Sequence, residues 1–246
     1  MHPAFQRIDH RPWPPPAHRW TWRQSWCDLL FAHWPVPAAA LRPLVPEPLV
    51  VQEFDSTSWV GVVPFRMAGV MRRGLPDLPW VSAFPELNLR LYVEHQGKPG
   101  VWFLSLDATN PLAVWAARRF FCLPYHRAAM SLIERDQTIH YTSQRRDKNA
   151  PVRFAASYRP TGSPYESKPG TLEHWLTERY CLYARSPAGR LFRAEVHHVP
   201  WQLQNAAAAI TANELTTPHG FELEGEPALL HFARRLDVAV WSPQAI

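Results

Sequence analysis

Val101-Trp102-Phe103-Leu104-Ser105-Leu106-Asp107-Ala108-Thr109-Asn110-Pro111-Leu112-Ala113-Val114-Trp115-Ala116-Ala117-Arg118-Arg119-Phe120-Phe121-Cys122-Leu123-Pro124-Tyr125-His126 reads as strand, turn, helix and pocket wall. Val101 to Asp107 is an apolar and aromatic run, ended by the turn-forming cluster Asp-Ala-Thr-Asn-Pro. Asn110 is suited to cap a helix whose first position is Pro111, where a missing N–H costs nothing. Leu112, Trp115, Ala116 and Arg119 then follow at helical spacing, and Pro124 ends the helix. Tyr125 and His126 come where the chain leaves the helix, a position suited to facing a cavity.

Upstream, Glu86 to Val93 alternates strictly. Leu87, Leu89, Leu91 and Val93 share one strand face, which groups Glu86, Asn88, Arg90 and Tyr92 on the other. The first face is core; the second is solvated or lines a polar cavity. Before it, Trp26 to Pro35 is strongly apolar, Val36 to Leu44 can make a short helix, and residues 49–54 and 58–67 flank Asp55-Ser56-Thr57 as a hairpin. Residues 72–85 form a loop bearing Trp80 and Phe84. Downstream, 137–143 and 152–159 read as strands around the polar loop 144–150, and Thr171 as the cap of a helix through Glu178. Residues 179–184 and 190–199 form a hairpin across Ser186-Pro187-Ala188-Gly189. Trp201 to Asn213 places Leu203, Ala206, Ala207 and Ile210 at helical spacing, and 228–233 and 236–241 read as two closing strands.

Composition bounds the answer. With 246 residues, 46% of them hydrophobic, the chain has ample material for a buried core. Twenty-six prolines against ten glycines favour short strands joined by rigid turns over long helices. Residues 1–24, rich in Pro, Arg and Trp, form an irregular arm anchored by Trp13, Trp20 and Trp22; 25–246 reads as one domain, without repeats or composition shifts. The net charge of +5 comes from arginine, since the lysines are Lys98, Lys148 and Lys168. Guanidinium suits carboxylate or phosphate recognition, but arginine bias also follows from genome composition. The basic residues occur as isolated pairs without a nucleic-acid motif, so no nucleic-acid partner is expected. Cys27, Cys122 and Cys181 are scattered, as reduced core thiols would be. No stretch is apolar enough for a membrane span or a leader peptide, which points to the cytoplasm. A homo-oligomer is compatible with these bounds.

Several segments resemble a known family. Leu-Leu-Phe-Ala-His-Trp-Pro-Val (29–36), Trp-Val-Gly-Val-Val-Pro-Phe (59–65), Leu-Pro-Trp-Val-Ser-Ala-Phe-Pro-Glu-Leu-Asn (78–88) and Leu-Thr-Glu-Arg-Tyr-Cys-Leu-Tyr (176–183) are similar to a bacterial domain family of unknown function, number 2071, within the acetoacetate decarboxylase-like superfamily. The superfamily carries Gly-Arg-Glu on a helix leading into Gly-Phe-Pro-Lys-Lys, whose first lysine forms a Schiff base. Ala117-Arg118-Arg119 and Cys122-Leu123-Pro124-Tyr125-His126 resemble these motifs, so Tyr125 and His126 take the lysine positions and Arg118 the arginine position. The resemblance implies an α+β fold in which a largely antiparallel, curved sheet closes into a cone-like β-barrel with outer helices. It also implies that Glu86 faces the site, because Ala83-Phe84-Pro85-Glu86 is similar to the superfamily's Tyr-x-Glu segment.

Neither a phenol nor an imidazole can form a Schiff base, so decarboxylation by that route is not expected. Tyr125, His126 and Glu86 are the candidate catalytic groups for acid–base work; Arg90, Arg118 and Asn88 are the candidate substrate-binding groups. Each also has a plain structural role open to it: pocket wall for Tyr125 and His126, a structural ion pair for Glu86 and Arg90. The expected ligand is a small carboxylate or ketone, bound either by a sensing module or by a lysine-independent lyase or hydratase. No metal and no cofactor are expected. His197 and His198 are adjacent on a predicted strand and point apart, and neither a zinc motif nor a nucleotide-binding motif occurs.

Overall fold

The computed structural model describes residues 2–75, 83–146 and 152–246. Trp80, in the loop read from the sequence, and Lys148 lie outside the described residues.

Thirteen strands form one continuous sheet: β1 (Trp22–Val36), β2 (Val50–Val51), β3 (Ser58–Arg72), β4 (Phe84–His95), β5 (Lys98–Ala108), β6 (Tyr125–Arg135), β7 (Thr138–Arg145), β8 (Arg153–Pro160), β9 (Cys181–Arg185), β10 (Leu191–His197), β11 (Gln204–Asn213), β12 (Leu229–Val240) and β13 (Gln244–Ala245). Among the described residues the α-helices are α1 (Ala38–Leu41), α2 (Pro111–Phe121) and α3 (Leu172–Thr177). Nearly every strand pair is antiparallel. The exceptions both involve β5, which runs parallel to β9 at Val101–Trp102 and parallel to β6 at Leu106–Ala108.

That fork produces two closed rings with a common wall. β4, β5, β9, β10, β12, β1 and β3 return to β4 as a small ring; β4, β5, β6, β7, β8, β11, β12, β1 and β3 return to it as a large one. The architecture is the curved, mainly antiparallel barrel with few helices that the sequence implied. The shared strands are buried on both faces. Leu87, Leu89, Leu91 and Val93 of β4 pack with Ile139, Tyr141, Phe154 and Tyr158 in the large ring. Leu29 and Phe31 of β1, Val63 and Phe65 of β3 and Leu106 of β5 pack with Ala184, Val196 and Trp201 in the small one. Closure of the rings by the β10–β12 and β5–β4 pairings leaves their strands no unpaired edge.

The wall is bent at one point. Asp28 takes a left-handed backbone (φ 55°) inside β1, where the pairing with β3 shifts register, and its carboxylate holds Arg66 at 2.9 Å and Arg234 at 2.7 Å. A bulge increases local twist, and this one lets Trp26 and Phe31 face the same ring although they are five positions apart. It also explains the reading of 228–233 and 236–241 as separate strands: they are one strand, β12, whose buried run is interrupted by the exposed pair Arg234-Arg235 opposite Asp28.

Other expectations are corrected. Residues 204–213 are β11, not a helix. Four consecutive alanines, 206–209, satisfy helical and strand periods equally, and pairing with β8 from Ala206↔Pro160 onward decides for the strand. β2 pairs with β4 rather than with β3, so Asp55-Ser56-Thr57 turns only a local Phe54↔Thr57 bridge. β6, absent from the sequence reading, follows Pro124 directly.

The N-terminal arm is fastened by a buried cation. Arg11 donates to the Val196 carbonyl (2.7 Å) and to Glu195 (2.8 Å), and Trp13 Nε1 donates to the same carboxylate (2.8 Å). Trp20 packs against Ala4, Ala239 and Trp241.

Closure of the small ring depends on Gly100. A Cβ there would lie 2.7 Å from Cys181 Sγ, 2.7 Å from Tyr183 and 2.9 Å from the Cys181 carbonyl oxygen, at the point where β5 meets β9. Gly100→Ala is therefore expected to destabilise the fold by about 1–3 kcal/mol through overpacking. Denaturant unfolding of the variant checks this, and an unchanged midpoint would show that the β5–β9 contact yields freely.

Candidate functional site

The polar row of β4 points into the small ring. Glu86, Asn88, Arg90 and Tyr92 are 2%, 7%, 9% and 1% exposed, so this face lines the interior rather than meeting solvent. Opposite Glu86 stands Tyr125. Asn110 caps α2 by accepting from the Leu112 and Ala113 N–H groups, and Cys122 in a left-handed conformation ends the helix. Pro124 then delivers Tyr125 as the first residue of β6, in register with Leu106. The Tyr125 hydroxyl donates to Glu86 Oε2 at 2.8 Å, fully buried.

Asn88 completes this cluster with a side-chain hydrogen bond to Glu86, and its Oδ1 has no partner. Burial raises the Glu86 carboxyl to about 7, while the bonds from Tyr125 and Asn88 pull the other way. The Tyr125 phenol is raised well above its ordinary value, first by burial and then by the adjacent carboxylate, and stays neutral. A carboxyl that changes protonation near neutrality beside a neutral phenol can hold or pass a proton between Oε2 and whatever group enters the ring.

The remaining candidates are distributed differently. Arg118 reaches from α2 and grips the Tyr125 carbonyl through Nε (2.7 Å) and Nη2, so it positions the backbone of Tyr125 and does not contact Glu86. His126, half-buried, alternates to the opposite face, in register with Asp107. Asp107 is paired there with Arg145 (2.7 Å) inside the large ring. Arg90 keeps the Glu86 face but lies four residues along the strand, about 13 Å between Cα atoms at the usual rise. It forms no ion pair with Glu86. Its Nε and Nη2 donate to the Tyr92 hydroxyl (3.1 and 3.0 Å), Nη2 also to the Leu176 carbonyl (3.1 Å), and its guanidinium sits 5.1 Å from the Phe31 ring centroid.

Around Arg90 are residues that the sequence reading did not single out: His33, Trp59, Trp175, Arg179 and His231. A signal existed for His33, which continues the Leu29, Phe31 alternation and is the polar residue of the otherwise apolar run 29–36. Arg179 lies within the 176–183 segment that carries the family resemblance.

A cleft of about 780 Å³ opens at the β5 fork, lined by Trp102, Leu104, Arg118, Leu123, Ala184 and Arg185 among others. It flanks the backbone of the Tyr125 segment. Among the described residues no group of three or more His, Cys, Asp or Glu side chains could hold a metal ion. Nor is any helix there long and apolar enough to cross a membrane.

Residues 23–237 match the family model for domain of unknown function 2071, described as an uncharacterised conserved protein. The chain belongs to this family. A family relative, the uncharacterised protein YqjF of Bacillus subtilis (strain 168), is 45% identical over 223 residues, 90% of this chain and 91% of its own. The family fold is similar to that of acetoacetate decarboxylase from Legionella pneumophila (TM-score 0.65, 11% identity, covering 100% of this chain and 96% of that one). It is also similar to the enduracididine biosynthesis enzyme MppR, solved with pyruvate (0.65, 12%, 96% and 93%). A third similar structure is an acetoacetate decarboxylase-like enzyme from Sphingomonas wittichii (0.65, 12%, 93% and 94%). At these identities the likeness establishes the fold alone.

The raised Glu86 carboxyl has a consequence for stability in this family member. Folded Glu86 titrates near 7 against 4.5 in the unfolded chain, so the native state binds the proton more tightly. Its contribution is full below pH 4.5 and is lost as pH rises through 7. Relative to Glu86→Gln, wild-type stability should fall by on the order of 3 kcal/mol between pH 4 and pH 8. Urea unfolding of both proteins across that range tests it; a pH-independent difference would mean that the carboxyl is solvated.

Proposed function

We propose that the protein binds a small organic acid or keto compound inside the small ring and does not act on it through a Schiff base. The observation that supports this most is the buried Tyr125–Glu86 hydrogen bond, made by the residue that stands where the superfamily resemblance places a lysine. Lys98 lies at the start of β5, 3.8 Å from Glu195 and 5.5 Å from the Trp13 ring centroid, and Lys168 is exposed ahead of α3. Neither approaches Glu86. The MppR structure with pyruvate supports the ligand class, because that protein of similar fold takes a small keto acid. Arg90 supplies the cation for the ligand's carboxylate, and Tyr125 and Glu86, four residues away along β4, address a carbonyl at the far end of a longer keto acid.

A second reading is a lysine-independent lyase or hydratase. It is favoured by the Glu86 carboxyl being held near 7, where it can serve as either acid or base. Tyr125 keeps its part in this reading. His126, on the opposite face, gives way to Glu86.

Borohydride added with pyruvate or acetoacetate should leave the mass of Lys98, Lys148 and Lys168 peptides unchanged. A stoichiometric reduced adduct at any of them would overturn the lysine-free reading. The same acids should raise the melting temperature of the wild type saturably, by about 2.7 kcal/mol of stabilisation at a hundredfold excess over Kd. Arg90→Ala should abolish that shift, and a shift that persists in this variant removes Arg90 from the site. Deuterium exchange at the carbon next to the ligand carbonyl, followed by NMR, separates the two readings: exchange lost in Glu86→Gln marks the enzyme.

A further inference from the structure

The end of the small ring beneath α3 concentrates positive charge. Arg90 and Arg179 both lie against one aromatic ring, their guanidinium carbons 5.4 and 4.9 Å from the Tyr92 centroid, and Arg179 also lies 4.2 Å from that of Trp175. Both side chains are buried, and among the described residues neither forms an ion pair. The acid that acts on Arg179 is Glu94, whose Oε2 accepts from Gln52 Nε2 (2.8 Å), and Gln52 Oε1 in turn accepts from Arg179 Nη1. Two guanidiniums so close, with one indirect carboxylate between them, leave positive charge in a dry interior, where it is costly unless paired.

The hydrogen-bond pattern there is equally lopsided. The Tyr92 oxygen accepts twice from Arg90, so its own proton must go to His33 Nε2, 2.6 Å away. Burial, with Arg90, His231 and Arg179 nearby, holds the His33 imidazole well below its ordinary value, hence neutral. Neutral His33 with Nε2 accepting carries its proton on Nδ1, and Nδ1 is buried without a partner. Trp59 Nε1 and Arg179 Nη2 are likewise buried without partners. Strand alternation places His33 on β1 with Phe31, and Trp59 on β3 with Gly61 and Val63, both facing the small ring; Trp59 packs with Tyr92 and Leu176. Gly61 lets Arg90 and Tyr92 lie close against β3, since a Cβ there would come 3.2 Å from both Arg90 Cγ and the Tyr92 hydroxyl. His33 Nδ1–H, Trp59 Nε1–H and Arg179 Nη2 are donors, His231 Nδ1 is a further buried nitrogen without a partner, and three donors beside surplus positive charge are complementary to an oxyanion.

We propose that this end of the ring is a binding site for a small oxyanion, lodged between Arg90 and Arg179 and bonded by Arg179 Nη2, His33 Nδ1–H and Trp59 Nε1–H. Resting on the function proposed above, the oxyanion is the carboxylate of the organic acid, so Arg179, His33 and Trp59 are binding residues alongside Arg90.

Acetate and inorganic phosphate are the probes, added separately to the full-length protein in buffer free of other oxyanions. The readout is the indole N–H resonance of Trp59, identified by its loss in Trp59→Phe, together with the melting temperature. Acetate should move both saturably, and Arg179→Gln should weaken its apparent affinity at least about tenfold. The wild-type resonance keeps the test decisive should that variant fail to fold. Phosphate moving Trp59 where acetate does not would support an oxyanion site and overturn its assignment to a carboxylate. Neither anion moving it overturns the site. A keto acid whose binding needs Glu86 but leaves Trp59 undisturbed overturns this subsite and keeps the proposed function. Acetate moving Trp59, with no keto acid sensitive to Glu86→Gln, keeps the subsite and overturns that function.

Discussion

β5 has one free edge and two partners for it. Its first half pairs with β9 and its second with β6, both parallel, while β4 occupies the other edge along its whole length. Parallel neighbours cannot be joined by a tight turn; a crossover is needed, and α2 is that crossover between β5 and β6. The helix therefore exists because the strand forks. Its exit at Cys122 and Pro124 then fixes where Tyr125 starts β6, and Arg118, one turn from the helix end, ties the Tyr125 carbonyl down from above. The same fork makes β4 a wall between two rings, which is why a strand with the ordinary alternation of a half-exposed sheet has no solvated face.

Burial of that second face accounts for the electrostatics. On a one-layer sheet Glu86 and Arg90 would be solvated and nearly inert. Enclosed, each must find partners locally, and they find different ones. Glu86 takes a phenol and an amide, neutral donors that only partly offset desolvation, so its carboxyl rises to about 7. Arg90 takes a phenol oxygen, a main-chain carbonyl and the faces of Phe31 and Tyr92. The contrast is Asp107, on the other side of the same sheet. Burial raises the Asp107 carboxyl too, but Arg145 at 2.7 Å and Ser143 pull it back, and Arg145 also reaches Ser105 (2.6 Å), so that pair serves the structure of the large ring.

What could be read from the sequence follows the same division. Period-two alternation in 86–93 grouped Glu86, Asn88 and Arg90 on one face, and the Asn110-Pro111 start of α2 was explicit in local chemistry. Local signals failed where long-range pairing decides. Ala206 to Ala209 fit either period until β8 pairs with them, and β12 seemed to be two strands because Arg234-Arg235 answers Asp28, a residue 206 positions away. The site shows the same limit. Parity gave the face of Glu86 and Arg90 but not the separation of their partners, and it could not show that His33, Trp59 and Arg179, from three separate segments, meet Tyr92.

Position 125 illustrates how one residue changes the meaning of its surroundings. An amine opposite Glu86 would form an ion pair that holds the carboxyl down and leaves that end of the ring neutral overall. A phenol cannot. It donates one hydrogen bond, stays neutral itself, and allows Glu86 to be protonated near pH 7. With Glu86 neutralised, the buried charge facing the small ring is that of Arg90 and Arg179, and the interior is cationic overall. The interior of the small ring is then polarised along β4, with Glu86 and Tyr125 toward α2 and a surplus of donors toward α3. That asymmetry is what the proposed binding of an anion rests on, because only one end of the ring can stabilise its charge.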